Sequence, residues 1–411
     1  MHWQIINWIA GGILALAWFS RIVEAAIGMP HVTDIARPGW DRKPATANLE
    51  PRVSIIVPAR NEEEDIRQTL TQLLALDYSN YEVIAVDDRS TDRTGQIMDE
   101  VAASCGADTP VRLPTAPTIS EAAGKHAHPA RLKVIHIATL PSGWLGKTHA
   151  MWTAGQQATG DWLLFTDADT IHEPGNLSRA LHEAQKHNVA LLSYSPRQIV
   201  TGFAQRALMP LIFSELALTY PPQKVSDPSS RVAAANGQFM LIQRAAYFQV
   251  GGHEAVARSL LEDVDLAFLL KRRKYPIRFR YAPEALSTRM YRSFTAMVEG
   301  WTKNLARLFN YAVMMAAWRA LDLLLIIGLP ILVAHFFAVP VARYALAVVW
   351  LRVLWRFYVR VAKSNFSALD CALSVLAVPL FCLLLVSSWW HHTVRSEVAW
   401  KGRAYPTTKK L

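Results

Sequence analysis

Two aspartates end an apolar segment near the middle of this 411-residue chain. Residues 163–170 read LLFTDADT, so Asp167 and Asp169 follow the apolar run with one small residue between them. Such a pair is a weak signal by itself, because most D-x-D pairs are solvated turns. Where a strand ends, however, the chain turns and both carboxylates can approach one cation. Mg2+ and Mn2+ take such oxygen ligands and bridge substrate phosphates, so the pair predicts a metal site for a phosphorylated substrate.

A second acidic pair and a lysine fit the same kind of substrate. Asp87 and Asp88 end the segment YEVIAVDD, where capping of the next helix is the alternative role for Asp88. Lys147 lies in a Gly-Lys-Thr triplet, but Pro141 stands where a phosphate-binding P-loop requires glycine. That ATPase motif is therefore excluded. In a loop before the Asp167 strand, Lys147 can still act as a point charge beside a diphosphate, with an exposed surface lysine as the alternative.

A third acidic pair, Glu262 and Asp263, stands in SLLEDVDL, where a helix is expected to begin. Acids at this place can simply stabilise the positive end of the helix dipole. They can also supply a general base for an acceptor hydroxyl. Upstream, the segment ANGQFMLI at 235–242 predicts a tight turn before a strand. The residues alone leave both roles of the acidic pair open.

The segments around these residues alternate between two patterns. Short apolar runs such as VSIIVPA predict buried strands, and apolar residues spaced three or four apart predict amphipathic helices. This alternation indicates an α/β fold with a mostly parallel sheet. Ligands of such sheets bind beyond the carboxyl ends of the strands, so we expect one crevice there. The strand-end residues expected to line it are Pro58, Ala59, Arg60, Asn61, Asp87, Asp88, Asp167 and Asp169.

The composition indicates that part of the chain lies in lipid. Hydrophobic residues make up 52% of the sequence and charged residues only 18%, and the apolar residues concentrate towards the two ends. The N-terminal apolar segment lacks the basic start of a cleaved signal peptide, which favours a retained anchor. The predicted regions are an anchor at 1–28, a linker at 29–52, a catalytic domain at 53–311, a transmembrane region at 312–392 and a basic tail at 393–411.

Four segments decide how the chain meets the membrane. Residues 321–342 and 369–390 are each long and apolar enough to cross. The segment 343–361 carries three arginines spaced four residues apart, and it can span with these turned inward or lie flat at the headgroups. Residues 203–222 can form an interfacial helix that guides a lipid or part of a core, and we favour the interface. The basic tail favours the cytoplasm.

The net charge and the cysteines exclude several functions. The formal net charge is +10, which basic residues beside membrane segments explain through an anionic leaflet. The centre of the chain has no basic face interleaved with aromatic residues, so we expect no nucleic-acid partner. Three cysteines give neither a disulfide framework nor the spacing of a zinc site.

The motifs together resemble a known enzyme family. They are VSIIVPARNEEEDI, VIAVDDRSTDRT, GWLGKTHA, LLFTDADT, ANGQFMLIQRAAYFQVGG and LEDVDLAFLLKRRKY, and they occur in the order and style of inverting family 2 glycosyltransferases. The resemblance covers about 53–311 and the tail segment WKGRAY. It implies the GT-A fold, a Rossmann-like nucleotide-diphospho-sugar transferase fold, here with transmembrane helices at both ends. The membrane-bound arrangement is similar to that of hopanoid-associated and carotenoid glycosyltransferases, and more distantly of ceramide glucosyltransferase.

The resemblance implies a role for each matching residue. The residues implied to bind the UDP-sugar donor are Pro58, Arg60 and Asp88 at the uracil end, Asn61, Asp167, Lys147 at the diphosphate, and Asn236 and Gly237 in the pocket shared with the acceptor. The residues implied to hold Mg2+ or Mn2+ are Asp169 and Asp167. Asp263 is implied to be the catalytic base, with Glu262 beside it.

The implied reaction moves one sugar from a UDP-sugar to a hydroxyl of a lipid that is hopanoid-, isoprenoid- or glycerolipid-like. Processive synthases carry Q-x-x-R-W after the base, and the matching segment 297–301 keeps only Trp301, which argues for a single transfer. The alternatives are a polyprenyl-phosphate sugar synthase and a catalytically silent membrane protein that binds a nucleotide sugar. We expect a multi-pass protein of the cell inner (cytoplasmic) membrane with a cytoplasmic catalytic domain. No motif specifies the sugar or the acceptor.

Overall fold

The computed structural model describes residues 51–105, 131–400 and 403–406, with scattered positions between Ile5 and Phe19. These residues divide into two compact units. The sheet unit contains the described residues of Arg37–Ile199 and Pro222–Met290. The helical unit contains those of Met1–Ala36, Val200–Pro221 and Tyr291–Lys410. The catalytic domain predicted at 53–311 thus includes two segments that belong to the helical unit.

A seven-stranded sheet forms the centre of the sheet unit. Numbered in chain order and given in spatial order, its strands are β3 (Arg131–His136), β2 (Tyr81–Asp87), β1 (Val53–Ala59), β4 (Trp162–Phe165), β8 (Met240–Gln243), β6 (Leu191–Ser195) and β9 (Ile277–Tyr281). Only β8 runs antiparallel to its neighbours among these strands. Every residue of β1 is buried, as expected for a central parallel strand covered on both faces. The predicted mostly parallel sheet is confirmed.

The remaining strands form two small sheets. β5 (Thr170–His172), β10 (Leu286–Thr288) and β7 (Arg197–Gln198) make a three-stranded sheet in the sheet unit. β11 (Glu397–Trp400) and β12 (Arg403–Pro406) pair as a hairpin in the helical unit. Only four residues separate the end of β4 from the start of β5, so the chain between them must turn sharply, and this turn carries Asp167 and Asp169.

Helices surround the sheet and form the second unit. Those of the sheet unit are α1 (Ile66–Leu74), α2 (Thr94–Cys105), α3 (Gly146–Gln157), α4 (Asn176–Lys186), α6 (Pro222–Ser226), α7 (Arg244–Gln249) and α8 (Glu262–Arg272). Those of the helical unit are α5 (Gly202–Thr219), α9 (Phe294–Leu308), α10 (Ala312–His335), α11 (Pro340–Val361), α12 (Ala368–Leu373) and α13 (Val378–Trp390). α1 buries Ile66, Leu70 and Leu73, the apolar stripe that predicted it.

The first helix is shorter than its sequence pattern suggests. The segment 61–76, in which acids precede apolar residues at helical spacing, predicts a helix with acids in its first turn, but α1 begins only at Ile66. Asn61 has a positive φ of 52°, and the Glu62 amide donates to Thr94 Oγ1 at 2.8 Å. These contacts hold the chain before Ile66 against the start of α2, so its acids precede α1 instead of forming its first turn.

α10 and α11 form an antiparallel helical hairpin. Trp350 Nε1 donates to the carbonyl of Ile326 at 3.0 Å, and Arg360 lies 3.2 Å from Asp322. The C-terminal boundary of the predicted span 321–342 is wrong, because α10 ends at His335 and the next helix begins at Pro340. Proline at a first helical position has no amide hydrogen to lose, and it disfavours helix in the residue before it.

Charged side chains are buried between α5 and this hairpin. Glu215 lies 3.5 Å from Arg319 and 4.0 Å from Arg360, and all three are less than 10% exposed. Most of α5 is buried, which favours the core alternative for the segment 203–222. Arg360 is turned inward, whereas Arg352 is exposed, so the three arginines spaced four residues apart, Arg352, Arg356 and Arg360, do not share one environment.

Two helical segments in the described part of the chain are long and apolar enough to cross a bilayer. They are Ala312–His335 and Ala368–Arg395. At the N-terminus, each described position between Ile5 and Phe19 is helical, and the rest of the predicted anchor lies outside the described residues. The same holds for most of the linker and for residues 107–130, whose Pro, Thr, Ala and His content predicts a loop inserted between the second helix and the third strand.

Candidate functional site

Three adjacent parallel strands end at one edge of the sheet. Ala59 of β1 pairs with Asp87 of β2, and Ile56 of β1 pairs with Phe165 of β4. The loops that follow these strands carry the polar residues that the sequence singled out. This common edge is where a ligand of a parallel sheet is expected.

Arg60 and Asp88 join the first two of these loops. Arg60 donates to the carbonyls of Asp88 and Arg89 at 2.8 and 3.2 Å. The Asp88 carboxylate is 4% exposed and accepts from the Arg89 guanidinium at 2.7 and 3.0 Å. Arg89 was not predicted, and its only signal was its place after the Asp-Asp pair. Pro58 lies buried within β1, beside Val86.

Two asparagines predicted at the donor site, Asn61 and Asn236, accept hydrogen bonds from backbone amides. Asn61 Oδ1 accepts from the Thr91 amide at 2.9 Å. Asn236 Oδ1 accepts from the Gln238 amide at 3.0 Å, and its Nδ2 donates to Gln238 Oε1 at 3.2 Å. In this structure both asparagines hold backbone in place.

The capping alternative for the second loop also has a place in the structure. Asp92 accepts from the Thr94 amide at 3.0 Å, and α2 begins at Thr94. Asp87 accepts from the Ser90 amide at 2.9 Å. Asp92 therefore caps the start of α2. The Asp88 carboxylate contacts Arg89 and lies against the start of α3.

Gly146, the first residue of α3, lies against Asp88. A Cβ at Gly146 would stand 1.9 Å from Asp88 Oδ2. We expect Gly146→Ala to destabilise the fold by about 1–3 kcal/mol, as overpacked sites do, and to raise the donor KM. Urea unfolding and donor kinetics measure both effects. In the matched control Gly328→Ala, the new methyl meets nothing described closer than 3.8 Å. An unchanged donor KM in a folded Gly146→Ala protein would contradict the predicted role of Asp88 in donor binding.

Lys147 connects two acidic side chains. It is the second residue of α3, so its predicted position in a loop is wrong. The Gly-Lys-Thr start has no capping side chain, which explains why the sequence did not reveal the helix. Lys147 Nζ lies 2.8 Å from Asp167 Oδ1 and 2.9 Å from Glu262 Oε1. Burial lowers the pKa of Lys147, but these two carboxylates more than offset it and raise the pKa well above its usual value.

Asp263 is held by two backbone amides. Its Oδ2 accepts from the Gly237 amide at 2.8 Å and its Oδ1 from the Val264 amide at 2.8 Å. Burial and the neighbouring charge of Glu262 raise the pKa of Asp263 to about 7. A Cβ at Gly237 would stand 3.2 Å from Lys147 Nζ, so a side chain there would crowd the ammonium group. The result is an oriented carboxylate that can take a proton near neutral pH.

The carboxylates at the end of β4 have the chemistry of a site for a hard cation. No group of three or more His, Cys, Asp or Glu side chains in the described part of the chain is arranged to hold a metal ion. Asp167 and Asp169, both partly exposed, offer two carboxylates. Mg2+ and Mn2+ at substrate phosphates commonly use only one or two protein carboxylates, and Asp167 already attracts the Lys147 ammonium. The donor set fits such an ion.

Comparisons with known proteins point to sugar transfer. Residues 54–248 match the family model described as Glycosyl transferase family 2. A 4,4'-diaponeurosporenoate glycosyltransferase of Staphylococcus aureus (strain MRSA252) is 25% identical over 412 residues, which cover 96% of this chain and 100% of the relative. The protein of the same name from Staphylococcus haemolyticus (strain JCSC1435) is 25% identical over 260 residues, 62% of this chain and 61% of the relative.

A solved structure establishes the fold. A mannosyltransferase from Pyrobaculum calidifontis, in complex with GDP-Man and Mn2+, has a TM-score of 0.52 at 19% sequence identity. The match covers 94% of this chain and 100% of that one. The predicted GT-A fold is thereby confirmed. The likeness at this identity concerns the fold alone.

Proposed function

We propose, from the premise that this chain is a family 2 glycosyltransferase, that it transfers one sugar from a UDP-sugar to a lipid hydroxyl with inversion of the anomeric carbon. One observation supports this most strongly. Lys147 contacts both Asp167 and Glu262, beside the amide-held carboxylate of Asp263. The ammonium group of Lys147, which suits a diphosphate, thus lies close to the carboxylate of Asp263, which suits the acceptor hydroxyl.

Asp263 is the proposed general base. Its carboxylate takes the proton of the acceptor hydroxyl while that oxygen forms a bond to the anomeric carbon. The bond from this carbon to the diphosphate oxygen breaks, and the electron pair leaves with UDP. Attack opposite the leaving group inverts the configuration. The raised pKa of Asp263 matches this role, because the ideal base titrates near the working pH.

Lys147 and the β4 carboxylates are proposed to receive the diphosphate. Lys147 is an ammonium point charge, fixed at Glu262 and able to turn from Asp167 to a phosphate oxygen. Asp167 and Asp169 would hold Mg2+ or Mn2+, which would neutralise charge on the departing UDP. Arg60, Asp88 and the loops that they join are proposed to form the nucleoside end of the site.

A lipid acceptor is supported by the apolar helices and by the relatives. On α11, Val341, Tyr344, Val348, Leu351 and Trp355 are each at least 58% exposed and repeat every three or four residues. This spacing gives an apolar stripe along α11, with the exposed Arg352 at its edge, which suits contact with lipid near the headgroups. Two relatives are named for an isoprenoid-like acid, diaponeurosporenoate. We therefore propose an isoprenoid-like lipid and a location in the cell inner (cytoplasmic) membrane, with the sheet unit in the cytoplasm.

We also propose that α10 and α11 enter the membrane as a pair. Because they run antiparallel, a chain that crosses with α10 returns with α11. In a background without native cysteines, the variants Ala342→Cys and Asn365→Cys should react with membrane-impermeant thiol reagents from opposite sides of the membrane. The same two variants assayed in detergent give the control for local shielding. Labelling of both from one side would contradict the pair of crossings.

The proposed reaction is tested by its product. The purified protein is incubated with a labelled UDP-sugar and isoprenoid alcohols, and the lipid product is analysed by mass spectrometry and by NMR of the anomeric proton. We expect a single sugar in an inverted linkage. A product in which the sugar is joined through a phosphate would favour the polyprenyl-phosphate sugar synthase instead.

A further inference from the structure

A line of buried polar side chains lies beneath the turn that carries Asp167 and Asp169. It begins at Tyr194, whose hydroxyl donates to Asn176 Oδ1. Asn176 Nδ2 lies 3.0 Å from His172 Nδ1. All three residues are at most 3% exposed. Because Asn176 accepts through its oxygen, its amide nitrogen is the donor to the imidazole.

This contact fixes the tautomer of His172. Nδ1 accepts a hydrogen bond, so the neutral ring carries its proton on Nε2. Burial lowers the pKa of His172 to about 3, and the ring is therefore neutral at working pH. Nε2 lies 3.0 Å from Thr166 Oγ1 and 3.2 Å from Thr170 Oγ1. The imidazole can thus donate to either hydroxyl.

Each hydroxyl donates a hydrogen bond to the backbone of a different turn. Thr170 Oγ1 donates to the Asp167 carbonyl at 2.7 Å. Thr166 Oγ1 donates to the Gln238 carbonyl at 2.8 Å. Gln238 follows Gly237, whose amide holds Asp263. One ring therefore supports both the carboxylate turn and the turn that orients the proposed base.

The carboxylate turn is held at its other carbonyls as well. Thr69 Oγ1 donates to the Ala168 carbonyl at 2.7 Å, and Thr288 Oγ1 donates to the Asp169 carbonyl at 3.3 Å. These contacts reach the turn from α1 and β10, but neither hydroxyl is joined to His172 in the same way.

Two links join the turns. The shorter one runs through Thr166 Oγ1, which lies 3.0 Å from both His172 Nε2 and Thr170 Oγ1. The longer one runs through Thr288 Oγ1, which also accepts from Gln238 Nε2 at 3.4 Å.

We propose that His172 is a positioning residue that keeps the carboxylate turn and the base-holding turn in register, so that the donor diphosphate and the acceptor hydroxyl meet in reacting geometry. This inference rests on the proposed function for its catalytic consequence. The coupling of the two turns does not depend on the proposed function. Misplacement of reacting groups by about 1 Å can lower the rate by 10²-fold, so a modest loosening should be visible in kcat.

The ligand-free test compares hydrogen exchange in wild type and in His172→Leu. We expect the peptides that cover 166–170 and 236–240 to exchange about tenfold faster together in the variant, because local opening of both turns becomes easier. Thr166→Val, which removes only the hydroxyl that reaches Gln238, should loosen 236–240 alone. It also serves where His172→Leu fails to fold. Unchanged exchange at 236–240 in folded variants would overturn the proposal.

The catalytic test uses His172→Gln, whose amide nitrogen can stand near the place of Nε2, against His172→Leu. We expect kcat per folded molecule to fall about 10²-fold in His172→Leu and to recover at least tenfold in His172→Gln. His182→Gln, on α4, is the control for a histidine outside the network. Equal kcat in all folded variants of an active wild type would overturn the positioning role. An inactive wild type with coupled exchange would instead reject the proposed function and keep the coupling.

Discussion

Replacing Asp263 by Asn is expected to lower kcat for transfer to a lipid hydroxyl by about 10²- to 10⁴-fold, the range that general base catalysis contributes. The amide keeps the size of the side chain and can still accept from the Gly237 amide, which lies 2.8 Å from Oδ2. It cannot take up the proton of the acceptor. Donor affinity, measured by calorimetry with UDP, should therefore change little. Steady-state kinetics with an alcohol acceptor give the fall in kcat.

The pH profile supplies the matched control for this prediction. Asp263 must be deprotonated to act, so kcat/KM should rise with pH through a midpoint near 7. The charge of Glu262 helps to raise that pKa, so Glu262→Gln should move the midpoint to lower pH. A profile that is flat between pH 5 and 9 in wild type and in Glu262→Gln would contradict the assignment of the base.

The same variant distinguishes the kinds of acceptor. A hydroxyl needs a base, but a carboxylate or a phosphate already carries a negative charge at neutral pH. With such an acceptor, Asp263→Asn would retain most of its kcat. The kcat/KM of the wild type would then show no rise through a midpoint near pH 7. Such a result would indicate that the acceptor is a charged lipid and not a lipid hydroxyl. The proposal for the donor site would not be affected.

Replacing Asp169 by Ala is expected to lower transfer by about 10²- to 10³-fold, since a metal ion at a leaving phosphate contributes several kcal/mol. The variant should also lose Mn2+-dependent binding of UDP, measured by calorimetry with and without Mn2+. Asp161→Ala is the matched control, because Asp161 precedes the same strand at its opposite end and its side chain accepts from the Arg52 amide at 3.2 Å. A folded Asp169→Ala protein that binds UDP and Mn2+ like wild type would reject Asp169 as a ligand.

The sequence predicts the sheet better than the loops. β1 and β2 agree with their predicted segments to within one residue, because seven-residue apolar runs leave few alternatives for a buried strand. The start of α1 is displaced to Ile66, because the preceding residues form hydrogen bonds to the start of α2 and to the loop before it. The end of α10 is displaced by Pro340, a local signal within a continuous apolar run.

The site is predicted in its residue types but not in its contacts. The strand ends indicated that Asp88 and Asp167 share one edge, which the parallel register produces. The sequence did not reveal that Lys147 bridges Asp167 and Glu262, because that contact depends on the start of α3 and the start of α8. The His172 network was missed entirely, since threonine and histidine near a strand end have no pattern that distinguishes them from solvated loop residues.

The most direct test of the central claim is nucleotide release by the detergent-purified chain. UDP-glucose, UDP-galactose, UDP-N-acetylglucosamine and GDP-mannose are supplied in turn, with and without Mn2+ and with and without a lipid extract. The account predicts release from one of the UDP-sugars that requires Mn2+ and increases with lipid. Folded protein that releases no nucleotide from any of the four donors, with metal and lipid present, would contradict the claim that this crevice performs sugar transfer.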